Sequence, residues 1–379
     1  MKIGIACRDH VLDKGGKERY SVMLGRQLGR AGHEVHVLAN THLREPGITF
    51  HRVPIWHLGS PFKHLSFAHF AGRAAAGLDL SVLHSMDRLF RQDIFRVSDG
   101  ISPVMVAQRY ESPLLRAFKS AGLRRRVLSA LERRIFLSGG CKCIMTNSEL
   151  VKEQILDHYP VAPGRIRVLY NGVDTGRFHA RLRDRARNGM RDRLGHGETD
   201  RVILFVANNF RLKNLRFLLE AMALSAAPET RLLVVGNDDP GPYLKWARTH
   251  GLGDRVRFAG PRSDTPELYA AADLFVLPTR YDAFANVCLE AMACGLPVIT
   301  TRHNGAAELI EEGRNGYVLQ GDDPQELARR ITEMSTLPPD ESAEMSRRCA
   351  AVAGAFTLEA HAKRAIRLYE EVRQWPRQG

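Results

Sequence analysis

Beyond residue 200 the chain settles into one repeated alternation, in which a short, nearly unbroken apolar run is followed by a stretch with helical spacing. The runs 201–207, 231–236, 255–259, 274–277, 297–301 and 317–319 read as strands. Helical patterns over 215–226, 266–272, 287–294, 306–312 and 324–334 fall between them. Strands that are apolar on both faces and alternate with helices belong in a parallel sheet covered on each side.

The first half opens in the same way. A strand over 2–7 leads into a loop ending at Gly15-Gly16, a helix over 17–31 that Gly32 stops, and a second strand over 34–38. Strand, glycine turn, helix, strand is the start of a Rossmann-type sheet. Further strands are expected at 80–84, 104–108, 143–146 and 166–170. A seam rich in Arg, Gly and Asp occupies 181–197, and an amphipathic helix over 358–375 closes the chain. The expected fold class is α/β, with two tandem Rossmann-like domains. Their expected limits are 1–170 and 171–355, with 356–379 as a helix packing back toward the first domain.

Charge narrows the partners. The 379 residues carry 55 Lys plus Arg against 42 Asp plus Glu, a formal +13. That excess suits an anionic partner: nucleic acid, a phosphorylated ligand or an anionic membrane surface. Between 109 and 134, eight basic residues (Arg109, Arg116, Lys119, Arg124, Arg125, Arg126, Arg133, Arg134) face Glu111 and Glu132, a net +6. Apolar residues interleave there with helical spacing, which fits either an interfacial helix on anionic lipid or a packed helix with a solvated basic face. No aromatic interleaving or nucleic-acid motif accompanies the charge, so nucleic acid ranks last. The six cysteines form no CxxC pair and read as reduced and structural. The early charges of Lys2 and Arg8 argue against a leader, and no apolar run approaches the roughly 18 residues of a membrane span. A cytosolic protein, or one on the cytosolic face of a membrane, is expected.

The most informative segment is Tyr281-Asp282-Ala283-Phe284-Ala285-Asn286-Val287-Cys288-Leu289-Glu290, which leads on to Gly295-Leu296-Pro297-Val298. It follows the 274–277 strand and so lies at a carboxyl strand end, where parallel sheets bind ligands. Amides over Ala285 to Val287 at the start of the following helix suit a diphosphate. Glu290, about one turn further, can accept hydrogen bonds from a ribose diol. In the preceding loop Lys213 can neutralise a leaving diphosphate, with Arg211 beside it and Arg262 as a weaker candidate near the base or phosphates. Gly15-Gly16 lets backbone approach a ligand, but the spacing is not G-x-G-x-x-G, so dinucleotide binding lacks support. No Asp-x-Asp pair occurs to hold a divalent ion on a diphosphate.

These residues resemble the donor site of the retaining family 4 glycosyltransferases, which have the GT-B fold. Asp282-x7-Glu290 followed by Gly-x-Pro-Val matches their acid-x7-Glu pattern, with Asp in place of the usual first Glu. Leu169-Tyr170-Asn171-Gly172-Val173-Asp174 with Arg177 and Phe178, the loop Phe210-Arg211-Leu212-Lys213-Asn214, Phe258-Ala259-Gly260, Tyr269 to Leu274 and His303 to Glu308 match further blocks in order. Asn304 stands where Gly is common. The resemblance implies a GT-B arrangement of two domains facing across a cleft. It implies metal-independent transfer of a hexose from a UDP-sugar to a saccharide or lipid-linked acceptor, with no cofactor. The roles it implies are Lys213, Arg211 and the amides of Ala283, Phe284, Ala285, Asn286 and Val287 on the diphosphate, Glu290 on the ribose and Asp282 on the sugar. Gly16 and Arg177 join the donor contacts, and Asp99 sits near the reacting centre, with His84 as an alternative. The nearest likeness is to enzymes that glucosylate the heptose of the lipopolysaccharide core, which implies a peripheral membrane setting. Two other readings stay open: a GT-B nucleotide-sugar epimerase and a basic nucleic-acid-binding protein.

Overall fold

A computed structural model of the chain describes residues 1–109, 112, 122–197 and 199–376. It divides into two compact units: Met1–Gly172 with Leu358–Gly379, and Val173–Thr357.

The first unit is built on β1 (Lys2–Ala6), β2 (Asp9–His10), β3 (Glu34–Ala39), β4 (Thr41–His42), β5 (Ile48–Arg52), β6 (Val82–Ser85), β7 (Ile94–Val97), β8 (Cys143–Thr146) and β9 (Ile166–Val168). Seven of these form a parallel sheet in the order β5-β3-β1-β6-β7-β8-β9, while β2 and β4 pair separately. Their side chains are buried along most of their length, as covered parallel strands require: Ile3, Ile5, Val35, Val37, Val82, Ile94, Cys143 and Met145 share one core cluster. The C-terminal helix Leu358–Gln374 closes that core with Ala365, Leu368, Tyr369 and Val372, beside the helix Gly16–Arg30. The expected return of this helix to the first domain is thus observed.

The second unit holds β10 (Arg201–Val206), β11 (Thr230–Val235), β12 (Val256–Gly260), β13 (Leu274–Leu277), β14 (Val298–Thr301) and β15 (Gly316–Leu319). They form one parallel sheet in the order β12-β11-β10-β13-β14-β15. In both sheets the strand order reverses once, between β1 and β6 and between β10 and β13. At such a switch point the loops leaving the two strands diverge and open a crevice. Gly236, at the end of β11, runs at φ +152°, and a Cβ there would lie 1.6 Å from Ala207 O, so only glycine lets these two strand ends meet.

Two expectations are corrected, and the compositional seam proves to hold a helix. The run 104–108 lies in a helix, Ser102–Arg109, because Pro103 starts a helix and the strand is supplied instead by Ile94–Val97. The seam at 181–197 contains the helix Leu182–Leu194, whose arginines have partners that composition does not show. The helix expected over 306–312 is a 3-10 turn, Gly305–Leu309.

The basic segment is described only in part, since 110–111 and 113–121 lie outside the described residues. Within it, the helix Leu123–Leu137 turns Leu128, Leu131, Glu132, Ile135 and Phe136 inward. Most of its apolar residues are therefore spent on the core, while Leu123 and Leu137 at its ends and Arg124, Arg126, Arg133 and Arg134 remain exposed. No helix among the described residues is long and apolar enough to cross a membrane.

Candidate active site

The second unit's switch point gathers the loops that leave β10, β13 and β14. Lys213 ends the first of these. Its N–H bonds Asn209 O at 3.0 Å, and Asn209 Oδ1 accepts from Leu212 N at 2.9 Å, which curls the loop back on itself. Asn214 then takes a left-handed conformation, φ 59°, and starts the helix Leu215–Leu224. The loop after β13 is laced to it, because Arg280 N donates to Leu212 O at 3.0 Å. This lacing brings Lys213 Nζ to 2.5 Å from Asp282 Oδ2, with both side chains half-buried. Two residues 69 positions apart thus form one ion pair at the mouth of the switch point.

Asp282 is braced on both sides of its peptide. Its N–H donates to His303 O at 2.9 Å, and its carbonyl accepts from Gly305 N at 2.9 Å. Its second carboxylate oxygen accepts from Phe284 N at 3.1 Å. The Ala285 amide, expected to face a ligand unpaired, instead donates to Asn304 Oδ1 at 3.1 Å. The buried Asn304 side chain lies within reach and satisfies a group that would otherwise be stranded. The amides of Phe284 and Ala285 are therefore occupied, and the helix Asn286–Ala293 begins behind them. Gly295, at φ +78°, ends that helix against Ser346.

Glu290 lies one turn into the helix. Tyr269, fully buried on the helix Thr265–Ala271, donates its hydroxyl to Glu290 Oε2 and Val287 O, each at 3.2 Å. Burial and then the neighbouring Glu290 charge push the Tyr269 hydroxyl well above its ordinary pKa, so it remains a donor. The Y-A-A-A-D-L block carried this residue, but nothing in it signalled a partner for Glu290.

The remaining candidates in this unit occupy three places. Arg211 is exposed in the Lys213 loop. Arg262 makes a two-pronged pair with Asp264, at 2.8 and 2.5 Å, and Arg177 Nη2 reaches Ser263 O at 3.1 Å, so these two arginines share one loop. Ala283 is buried in the Asp282 loop.

In the first unit, Gly16 opens the helix Gly16–Arg30, and Asp99 lies exposed just beyond β7. Sequence reasoning missed the pair between them in chain order: Lys17 Nζ lies 2.9 Å from Asp87 Oδ1, and Asp87 Oδ2 also accepts from Arg8 N at 2.8 Å. Burial opposes both charges, but each outweighs it for the other, holding the Lys17 ammonium above and the Asp87 carboxyl well below their ordinary ranges. His84, the alternative to Asp99, is fully buried and bonded through Nδ1 to Tyr369, so it belongs to the core. Among the described residues no group of three or more His, Cys, Asp or Glu side chains is placed to hold a metal ion.

Two Rossmann-like units in tandem, each with polar residues at the switch point of its sheet, give the GT-B fold class. Residues 14–177 match the Glycosyltransferase Family 4 model and residues 186–352 the Glycosyl transferases group 1 model, so the chain is related to both. Spore coat protein SA of Bacillus subtilis (strain 168) is 32% identical over 209 residues, covering 50% of this chain and 55% of that protein. The chain spans about half the length of the first curated relatives it matches. Among solved structures, WaaG, a glycosyltransferase involved in lipopolysaccharide biosynthesis, superposes with a TM-score of 0.82 at 23% identity, covering 97% of this chain and 99% of that one. Anabaena Alr3699/HepE, solved with UDP and glucose, gives a TM-score of 0.75 at 20% identity over 98% of this chain and 100% of that one.

Proposed function

We propose that the protein transfers a hexose, glucose first among the candidates, from a UDP-sugar to a saccharide or lipid-linked acceptor, with retention and without a metal ion. The observation that carries this reading is the Lys213–Asp282 pair, 2.5 Å apart at the switch point between β10 and β13. A cation and an acid side by side can divide one substrate between them: the ammonium takes the diphosphate and the carboxylate takes sugar hydroxyls. The structure of HepE with UDP and glucose supports the choice of donor, and WaaG supports a lipopolysaccharide acceptor.

In this reading Lys213 and Arg211 carry the charge that develops on the leaving diphosphate, an electrostatic contribution that grows toward the transition state. Amides at Asn286 and Val287 add to it, and Glu290, steadied by Tyr269, holds the ribose diol. Arg177 and Arg262 serve the base and phosphate side, and Gly16 and Asp99 serve the donor phosphate and the acceptor. The acceptor hydroxyl attacks the face that the diphosphate leaves, and its proton passes to a phosphate oxygen. The exposed Arg124, Arg126, Arg133 and Arg134 make an electrostatic contact with the anionic cytosolic face of a membrane.

The test is purified protein with UDP-, GDP- and ADP-sugars, alone and with core oligosaccharides, read by mass spectrometry. Release of UDP with one hexose gained by the acceptor is expected. A donor isomer of unchanged mass would instead identify an epimerase, and inertness toward every donor would overturn the reading.

A further inference from the structure

Asn304 is 1% exposed, and its carboxamide is fully used. Its Oδ1 accepts from the N–H groups of Ala285 and Ala306, each at 3.1 Å. Its Nδ2 donates to Thr300 Oγ1 at 3.0 Å and to Cys288 Sγ at 3.4 Å. A primary amide offers two acceptor lone pairs and two donor hydrogens, so none is left over. One side chain thereby ties together the end of β14, the first turn of the helix Asn286–Ala293, the loop after β13 and the 3-10 turn Gly305–Leu309. The residues on either side of it, His303 and Gly305, are the two that clasp the Asp282 peptide.

The oxygen at the Ala285 and Ala306 amides has a second meaning. Two N–H groups converging on one acceptor would suit a ligand oxygen or a longer carboxylate folding back, and here Asn304 Oδ1 fills that place. With the amides taken and the loop fixed, the acid at 282 is held to one length: it must end on Lys213 Nζ and Phe284 N, as Asp282 does. A glutamate would carry its carboxylate about one methylene past both partners.

We infer that Asn304 is a positioning residue that sets donor selectivity, locking the 282–286 loop so that a short acid at 282 is matched to Lys213. The inference rests on the proposed nucleotide-sugar reading of this site. It makes positions 282 and 304 a coupled pair: without the Asn304 side chain the loop can shift, and its two amides can receive a longer acid.

The experiment compares wild type, Asn304→Gly, Asp282→Glu and the double variant in hydrolysis of UDP-glucose, UDP-galactose and UDP-N-acetylglucosamine, with thermal melts alongside. Asp282→Glu is expected to lose about 30-fold in kcat/KM on the preferred donor and Asn304→Gly about ten-fold. The double variant should recover to within about three-fold of wild type on at least one donor, with a changed order of donor preference. Losses that simply multiply, with the donor order unchanged, overturn the inference. If Asn304→Gly melts too low to assay, Asn304→Ala replaces it in the same cycle, because it also removes the carboxamide. A wild type that hydrolyses none of the donors defeats the reading of the site itself, whereas an active wild type with multiplied losses defeats only the role of Asn304.

Discussion

The hydroxyl of Tyr369 lies 2.6 Å from Nδ1 of His84, joining two fully buried residues that stand 285 positions apart. Nearby, Tyr20 and His361 share a 2.8 Å bond, and His361 Nδ1 meets Tyr170 O at 2.7 Å. The C-terminal helix is thus pinned by directional polar bonds inside an apolar contact. Tyr369→Phe keeps the ring and leaves a buried imidazole nitrogen without its partner. Urea unfolding should show a loss of about 1–3 kcal/mol. An unchanged midpoint would mean that packing alone holds the helix.

The same region makes stability depend on pH. Burial, then the Arg96 charge, lowers the His361 pKa to about 3, and burial lowers His10 to about 4. In the unfolded chain both titrate near 6.5, so between about 6.5 and 4 the unfolded state takes up protons that the native state refuses. Stability is present above that window and falls as pH drops through it, by on the order of 2 kcal/mol for each histidine at pH 5. Melts at pH 7.5 and 5 should show a clearly lower Tm at the acid end. Equal values would contradict the buried, neutral state of these rings.

A third prediction concerns Asp273, just ahead of β13. Arg183, Arg187 and Arg191 project from one face of the helix Leu182–Leu194 and reach its carboxylate at 3.5, 2.6 and 3.3 Å. Arg183 and Arg187 also bond Ala272 O, and Asp273 Oδ2 accepts from Val202 N at 2.9 Å. Asp273→Asn leaves three guanidinium groups around a neutral side chain, one of them on the buried Arg191. A cost of about 3–5 kcal/mol in guanidinium chloride unfolding is expected. A loss under about 1 kcal/mol would place the arginines among ordinary surface pairs.

At the proposed donor site, Lys213→Ala should lower kcat on UDP-glucose by about 10²–10³-fold, because its charge matters most as the diphosphate leaves. Glu290→Gln, which keeps the shape, should chiefly raise KM, since ribose binding is common to ground and transition states. Steady-state rates over a donor titration separate the two effects. Near-wild-type kcat in Lys213→Ala would remove that lysine from the leaving-group role.

Much of this architecture was legible from pattern alone. The strands 274–277 and 143–146 were read with the limits they have, because fully buried strands are apolar throughout and bounded by turns. Ile48–Arg52 escaped notice: it is an edge strand, half-exposed, and its Thr49, His51 and Arg52 mask the apolar positions. Lys213, Asp282 and Glu290 could be singled out because type and spacing mark them. The duties of Asn304 and Tyr269 could not, since each depends on a partner supplied by another element, and a buried amide or hydroxyl looks the same in sequence whether bonded or idle.

The return of the Leu358–Gln374 helix to the first unit has a consequence for synthesis. Seven strands of that unit leave the ribosome early, yet the helix side chains that cover Ile94, Cys143 and Met145 are translated only after the whole second unit. The second unit, continuous from Val173 to Thr357, can complete its fold while the first still waits with an open apolar face. In the cell, order of translation and order of completion therefore run in opposite directions for the two units.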